Sequence, residues 1–146
     1  MKIKVKKLSP DAIIPTKAYN TDAGWDLYSN EDVTIEPGCR RLIKTDIAME
    51  IPNGWYGPIK DRSGMAYKKM THIFAGVVDS DFRGTIGIVM FSFAMEVEIK
   101  KGDKIAQILF LPVPVVELVE SDELSDTSRG AKGYGSSDKK KEKKNE

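Results

Sequence analysis

At 146 residues the chain has room for one domain, with a core that buries roughly two-thirds of the unfolded surface. With 40% hydrophobic and 31% charged residues it has the make-up of an ordinary soluble globular protein, and a formal net charge of +1 gives no electrostatic case for general nucleic-acid binding. The single cysteine, Cys39, excludes an internal disulfide and a thiolate metal cluster, and no apolar run is long enough to cross a bilayer.

Strand signals dominate from the start. The segment Met1-Lys-Ile-Lys-Val-Lys-Lys7 alternates charge with apolar residues and does not read as a signal peptide. Lys2 to Leu8 has the period of two expected of a half-buried edge strand. Val33-Thr-Ile35 is followed by the turn pair Pro37-Gly38, and Arg41 to Ile51 is rich in branched residues. Ile51-Pro-Asn-Gly54 predicts another turn, leading into a strand from Trp55 to Ile59. The best helix candidate is Ser63 to Lys69, weakened by the Gly64 within it. Thr85 to Phe93 is an apolar run of strand length, Val97-Glu-Ile99 leads to a turn at Lys101-Gly102, and Ile105 to Val113 is a second such run, closed by Pro112 and Pro114. Turns recurring every ten or so residues predict an all-β barrel or jelly roll.

Near Glu120 the strand residues give way to Ser, Asp, Gly and Lys. The expected organisation is a β domain over 1–120, a glycine-rich arm over 121–138 and a disordered tail over 139–146, where five of eight residues are lysine. Cys39 reads as a reduced structural thiol. The expected setting is the cytoplasm, or a host-cell interior if the chain is virus-encoded.

Five clusters carry candidate chemistry. Ala23-Gly-Trp-Asp-Leu-Tyr-Ser29 puts Asp26 in an apolar strand. Lys60-Asp-Arg-Ser-Gly-Met-Ala66 places Arg62 and Ser63 before a helical turn, whose N–H groups would face an anion. Gly76-Val-Val-Asp-Ser-Asp-Phe-Arg-Gly84 holds two carboxylates suited to base, metal or solvated-turn roles; in a strand-like segment Asp79 and Asp81 share a face and Phe82 points away. Gly102-Asp-Lys-Ile-Ala-Gln107 sets Gln107 in an apolar strand, where its amide needs a ligand or interface partner. Arg129-Gly-Ala-Lys-Gly-Tyr-Gly-Ser-Ser137 combines glycines that allow close backbone approach with an arginine suited to clamping an anion.

These five motifs, in this order and over most of the chain from Ile3 to Ser137, resemble the homotrimeric dUTPases. The resemblance implies a jelly-roll-like subunit, a homotrimer with sites at its interfaces, and a swapped or mobile C-terminal arm that closes over a neighbouring site. It implies hydrolysis of dUTP to dUMP and diphosphate, which keeps dUTP low and supplies dUMP for dTMP synthesis. Asp79 would hold the water that attacks the α-phosphorus. Gly76, Val77 and Val78 would read uracil through backbone groups, Phe82 would pack on the deoxyribose, and Tyr134 would stack on the base. Arg62, Ser63, Gly64 and Gln107 would contact phosphates from the body, and Arg129, Gly135, Ser136 and Ser137 from the arm. Asp26, Asp81 and Arg83 would support the site. Mg²⁺ would ride on the triphosphate with no direct protein ligand.

Four departures from the family pattern stand out: Asp61 where Pro usually precedes Arg-Ser-Gly, Phe82 for Tyr, Lys132 and Asp138 for Gly, and the bulky approach His72-Ile-Phe-Ala75 to the uracil hairpin. Asp61 beside a triphosphate is unfavourable unless it points away or pairs with Lys60. His72 reads as a structural or surface residue. The alternatives are a regulatory nucleotide-binding protein on the same scaffold, supported by Asp61, Lys132 and Asp138, and an enzyme related to dCTP deaminase.

Overall fold

The computed structural model describes residues 1–134; Gly135, Ser136, Ser137, Asp138 and the lysine-rich stretch 139–146 lie outside the described residues. The chain divides into two units, Met1–Val115 and Val116 onward.

The first unit holds twelve strands and one helix: β1 (Lys4–Lys7), β2 (Trp25–Tyr28), β3 (Val33–Ile35), β4 (Arg40–Lys44), β5 (Ile47–Glu50), β6 (Trp55–Lys60), α1 (Ser63–Lys69), β7 (Thr71–Phe74), β8 (Val77–Val78), β9 (Gly87–Ser92), β10 (Val97–Ile99), β11 (Lys104–Ile108) and β12 (Leu111–Pro112). The all-β expectation holds. The short strands are spread over four sheets, and no closed barrel is formed among the described residues. All pairings are antiparallel: β1 with β5, β3 with β10, β4–β9–β7, and β2–β11–β6 with β8 and β12 also on β6.

The side chains explain where the strands lie. In β9 burial alternates residue by residue, with Ile88, Met90 and Ser92 inward, as a pleated strand with one core face requires. The core joins Leu27, Ile35, Ile43, Ile47, Ile88, Met90, Val97, Ile99, Ile105 and Ile108 from seven of the strands. Each such side chain, fully buried, stabilises by about 1.5–3 kcal/mol before entropy is counted. Ser92 is buried too, and its hydroxyl is satisfied by the Met95 carbonyl.

Two segments with strand-like composition are each divided. Arg41 to Ile51 breaks at Thr45-Asp46, where Asp46 takes a left-handed φ of 51° and accepts Asn30 Nδ2 at 2.6 Å; aspartate tolerates that conformation through such local bonds. Ile105 to Val113 breaks between β11 and β12, yet both halves face β6 in one register. The gap lies opposite Pro58, whose carbonyl accepts the Leu109 N–H but which has no N–H to return. The helix expectation matches α1. It ends at Met70, with φ of 49° and its N–H on the Met65 carbonyl, a left-handed cap usually given to glycine.

In the second unit the described residues from Val116 are exposed and form no strand or helix. A turn forms around Gly130, whose φ is 54°. Its N–H donates to Thr127 Oγ1, and Arg129 Nε donates to the Lys132 carbonyl at 3.1 Å.

Candidate active site

Strand β6 carries partners on both edges: β11 and β12 on one, β8 on the other. The two parts of the candidate site are built on these two edges.

On the β11 edge, Gln107 lies in register with Asp26 of β2 on one side and Lys60 of β6 on the other. A bulge between Lys104 and Ala106 shifts the register of β11, and bulges of this kind re-aim neighbouring side chains. Lys104 Nζ lies 2.8 Å from Asp26 Oδ2, and Arg62 Nε donates to Asp26 Oδ1 at 2.9 Å. Arg62 also donates through Nη1 to the Lys104 carbonyl at 3.2 Å. The Asp26 side chain is only 14% exposed, so its charge requires partners, and two cations supply them. The hydrogen bond to Asp26 holds the Lys104 ammonium above its ordinary value of 10.5.

Gln107 Nε2 donates to the Asp61 carbonyl at 2.7 Å. The expectation that this amide needs a ligand or another subunit is therefore corrected, because Asp61 satisfies it within the chain. Its other end explains Gly24: a Cβ there would come within 2.1 Å of Gln107 Oε1. Of the two ways in which Asp61 could be accommodated, pairing with Lys60 is not the one found. Its carboxylate contacts His72 Nδ1 and the Ile73 N–H, not Lys60. The structural reading of His72 holds. Ser63 and Gly64 open α1, which has no side-chain cap and no acidic residue in its first turn, so the first-turn amides keep unspent donors.

On the β8 edge the chain leaves β7 through Ala75 and Gly76, with φ of 60° and 95°. The Gly76 carbonyl accepts the Ile59 N–H at 2.7 Å, and a Cβ on Gly76 would come 2.9 Å from the Ile59 oxygen. Only glycine combines that approach with that φ. Val77 is exposed and Val78 buried, which seats the two-residue strand on β6.

The strand stops there. Asp79 to Phe82 is a turn, with the Phe82 N–H on the Asp79 carbonyl at 3.2 Å, so the alternating-face expectation for Asp79, Asp81 and Phe82 does not apply. Arg83 clamps the turn by donating to the Ser80 carbonyl at 2.6 Å and the Phe82 carbonyl at 3.0 Å. The Phe82 ring lies over Gly84, where a Cβ would meet it at 2.7 Å. Asp79 and Asp81 are exposed, and their carboxylates make no ion pair or hydrogen bond among the described residues.

The structure thus brings Asp26, Arg62 and Gln107 together and sets Ser63 and Gly64 beside them. It gathers Gly76, Val77, Val78, Asp79, Asp81, Phe82 and Arg83 on the other edge. Arg129 and Tyr134 belong to the second unit. Lys104 was missed as a site residue, although it lies within the motif that gave Gln107; the cue was a second cation that a buried Asp26 would need. Among the described residues no three His, Cys, Asp or Glu side chains form a group able to hold a metal, and no helix is long and apolar enough to cross a membrane.

Comparison with known proteins gives one answer. A family model for dUTPase matches residues 10–138. The deoxyuridine 5'-triphosphate nucleotidohydrolase of Nautilia profundicola is 46% identical over 142 residues, covering 95% of this chain and 100% of the relative. Its fowlpox virus counterpart is 44% identical over 138 residues, covering 92% and 95%. Among solved structures, the dUTPase of Staphylococcus bacteriophage 80alpha with dUpNHpp superposes with a TM-score of 0.83 at 32% identity, covering 92% of this chain and 97% of that one. A mutant dUTPase from phage phi11 of S. aureus, which coordinates a structural Mg(II) ion, gives 0.79 at 30% identity, covering 84% and 98%.

Proposed function

The chain belongs to the dUTPase family, and from that premise we propose how its residues divide the hydrolysis of dUTP to dUMP and diphosphate. The observation that carries the proposal is the Asp79 carboxylate, exposed and unpaired among the described residues on a turn that directly follows the hairpin strand β8.

Asp79 accepts a proton from the attacking water as its oxygen bonds to the α-phosphorus. The bond from that phosphorus to the α,β-bridging oxygen breaks, and diphosphate leaves with the electron pair. Chemistry of this kind depends on in-line positioning and charge neutralisation. Among the described residues strand β8 pairs along its β6 edge alone, so backbone groups of Gly76, Val77 and Val78 remain to read uracil, while Phe82 packs against the deoxyribose. Arg62, Ser63, Gly64 and Gln107 take the phosphates. Asp26 holds Arg62 in place, and Arg83 and Asp81 keep the Asp79 turn.

The donor set fits a metal carried by substrate: Asp26 is spent on two cations, and no three-ligand group stands beside it among the described residues. Mg²⁺ bound to the triphosphate supplies charge neutralisation there. Arg129, Gly135, Ser136 and Ser137 are assigned to the γ-phosphate and Tyr134 to the base, in a homotrimer where these residues and those of the body serve one site from different copies. A regulatory, non-catalytic reading drew on Asp61, Lys132 and Asp138; of these, Asp61 has both carboxylate oxygens engaged by His72 and the Ile73 N–H.

The test is Asp79→Asn. Diphosphate release from dUTP should fall by about 10³-fold or more, with dUTP binding retained in calorimetry. Turnover within tenfold of the parent would remove Asp79 from the mechanism.

A further inference from the structure

Three contacts converge on Asp61, the residue just before Arg62. Its Oδ2 lies 2.7 Å from His72 Nδ1, and its Oδ1 accepts the Ile73 N–H at 2.7 Å. Its main-chain carbonyl accepts Gln107 Nε2 at 2.7 Å. The Asp61 side chain is 28% exposed and that of His72 50% exposed, so the bond from the Ile73 N–H is the part-buried anchor and the His72 contact the more solvent-open one. His72 is packed edge-on to Phe74, with ring centroids 5.6 Å apart. Strand β7, which carries both anchors, runs on through Ala75 to Gly76.

We infer that Asp61 is a positioning residue for triphosphate binding, tying the Arg62–Ser63 segment and the Gln107 amide to β7 through His72 and Ile73. This inference rests on the assignment of Arg62, Ser63 and Gln107 to the phosphates. A charge-assisted anchor at each carboxylate oxygen fixes the residue on both sides of its peptide. With both oxygens engaged, the carboxylate is also kept from turning toward an anion that it would repel. The junction between β6 and α1 therefore holds a fixed place relative to β7, and the Gln107 amide is held with it.

The experiment compares Asp61→Ala, Asp61→Asn and Arg62→Ala in the full chain, by steady-state kinetics on dUTP and by competitive inhibition with dUMP. Asp61→Ala should raise KM for dUTP roughly tenfold, with kcat changed by less than about twofold. The inhibition constant of dUMP should hold within about twofold, since dUMP lacks the β- and γ-phosphates. Asp61→Asn keeps an oxygen for the Ile73 N–H and should recover most of the lost affinity. An unchanged KM in Asp61→Ala beside a raised KM in Arg62→Ala overturns the inference and leaves the phosphate assignment standing. No change in either variant overturns both. An equal loss in kcat and in dUMP affinity, or an Asn variant as impaired as Ala, marks general damage and also overturns it. Should Asp61→Ala fail to fold by circular dichroism, His72→Ala removes one anchor and keeps the other. It should then show the same split with a KM rise of about threefold, and no rise overturns the inference.

Discussion

On one edge of β6, Asp26 bonds to Arg62 and Lys104, Arg62 also to the Lys104 carbonyl, and Gln107 to the Asp61 carbonyl. On the other edge, Asp79 and Phe82 stand on a turn held by its own backbone and by Arg83. The first arrangement is a set of charges whose positions are fixed before substrate arrives, as electrostatic stabilisation of a triphosphate requires. The second leaves a carboxylate in solvent, where water is available and none of the described residues encloses it. The difference places the cost of preorganisation on the phosphate side and leaves enclosure of the reacting water to whatever covers the turn. It also predicts that the two edges respond differently to the addition of a single methyl group.

The larger response belongs to the Asp79 side. Gly76→Ala forces a side chain into a φ of 95° and against the Ile59 carbonyl at 2.9 Å, and a backbone oxygen within a sheet cannot move cheaply. The expected loss is about 2–4 kcal/mol, read as a Tm lowered by roughly 10 °C. A Tm within about 2 °C of the parent would mean that the hairpin adjusts freely and that its tightness does not define the base site. Gly24→Ala asks the same question of the platform. The added methyl meets the far end of Gln107 at 2.1 Å, so the side chain can swing away at the cost of its bond to Asp61. A stability loss of about 1–2 kcal/mol and a several-fold rise in KM for dUTP should follow. Unchanged KM would show that the Gln107 amide is not a phosphate contact.

The same contrast explains how much of the molecule could be read from its sequence. The turns at Pro37-Gly38, Ile51 to Gly54 and Lys101-Gly102 were legible because glycine and proline act locally, and α1 was found to its ends. The break at Asp46 depends on a bond from Asn30, sixteen positions away, and the gap between β11 and β12 depends on Pro58 in a different strand. Neither is visible in its own run of residues. The motifs located both parts of the site. Their partners are long-range: Asp26 with Arg62, Gln107 with Asp61, and Asp61 with His72. Sequence alone therefore showed that Gln107 and Asp26 needed compensation, but not that the chain itself provides it.

The smallest expected effect tests whether the platform behaves as one charged unit. The hydrogen bond from Lys104 to Asp26 raises the ammonium above its ordinary 10.5. A cation whose folded-state pKa is raised contributes stability that is fully present below its unfolded value and is lost as pH rises through the folded one. Tm should therefore fall on raising pH from neutral to above 10.5, and part of that fall belongs to Lys104. Lys104→Met removes the titrating group and should flatten the alkaline limb of the Tm–pH curve by a small but measurable amount. In the same variant Asp26 keeps Arg62 as its partner, so the fold should survive at neutral pH. A limb of unchanged slope would show that Lys104 is a bystander and that Asp26 with Arg62 alone makes the frame on which the phosphates rest.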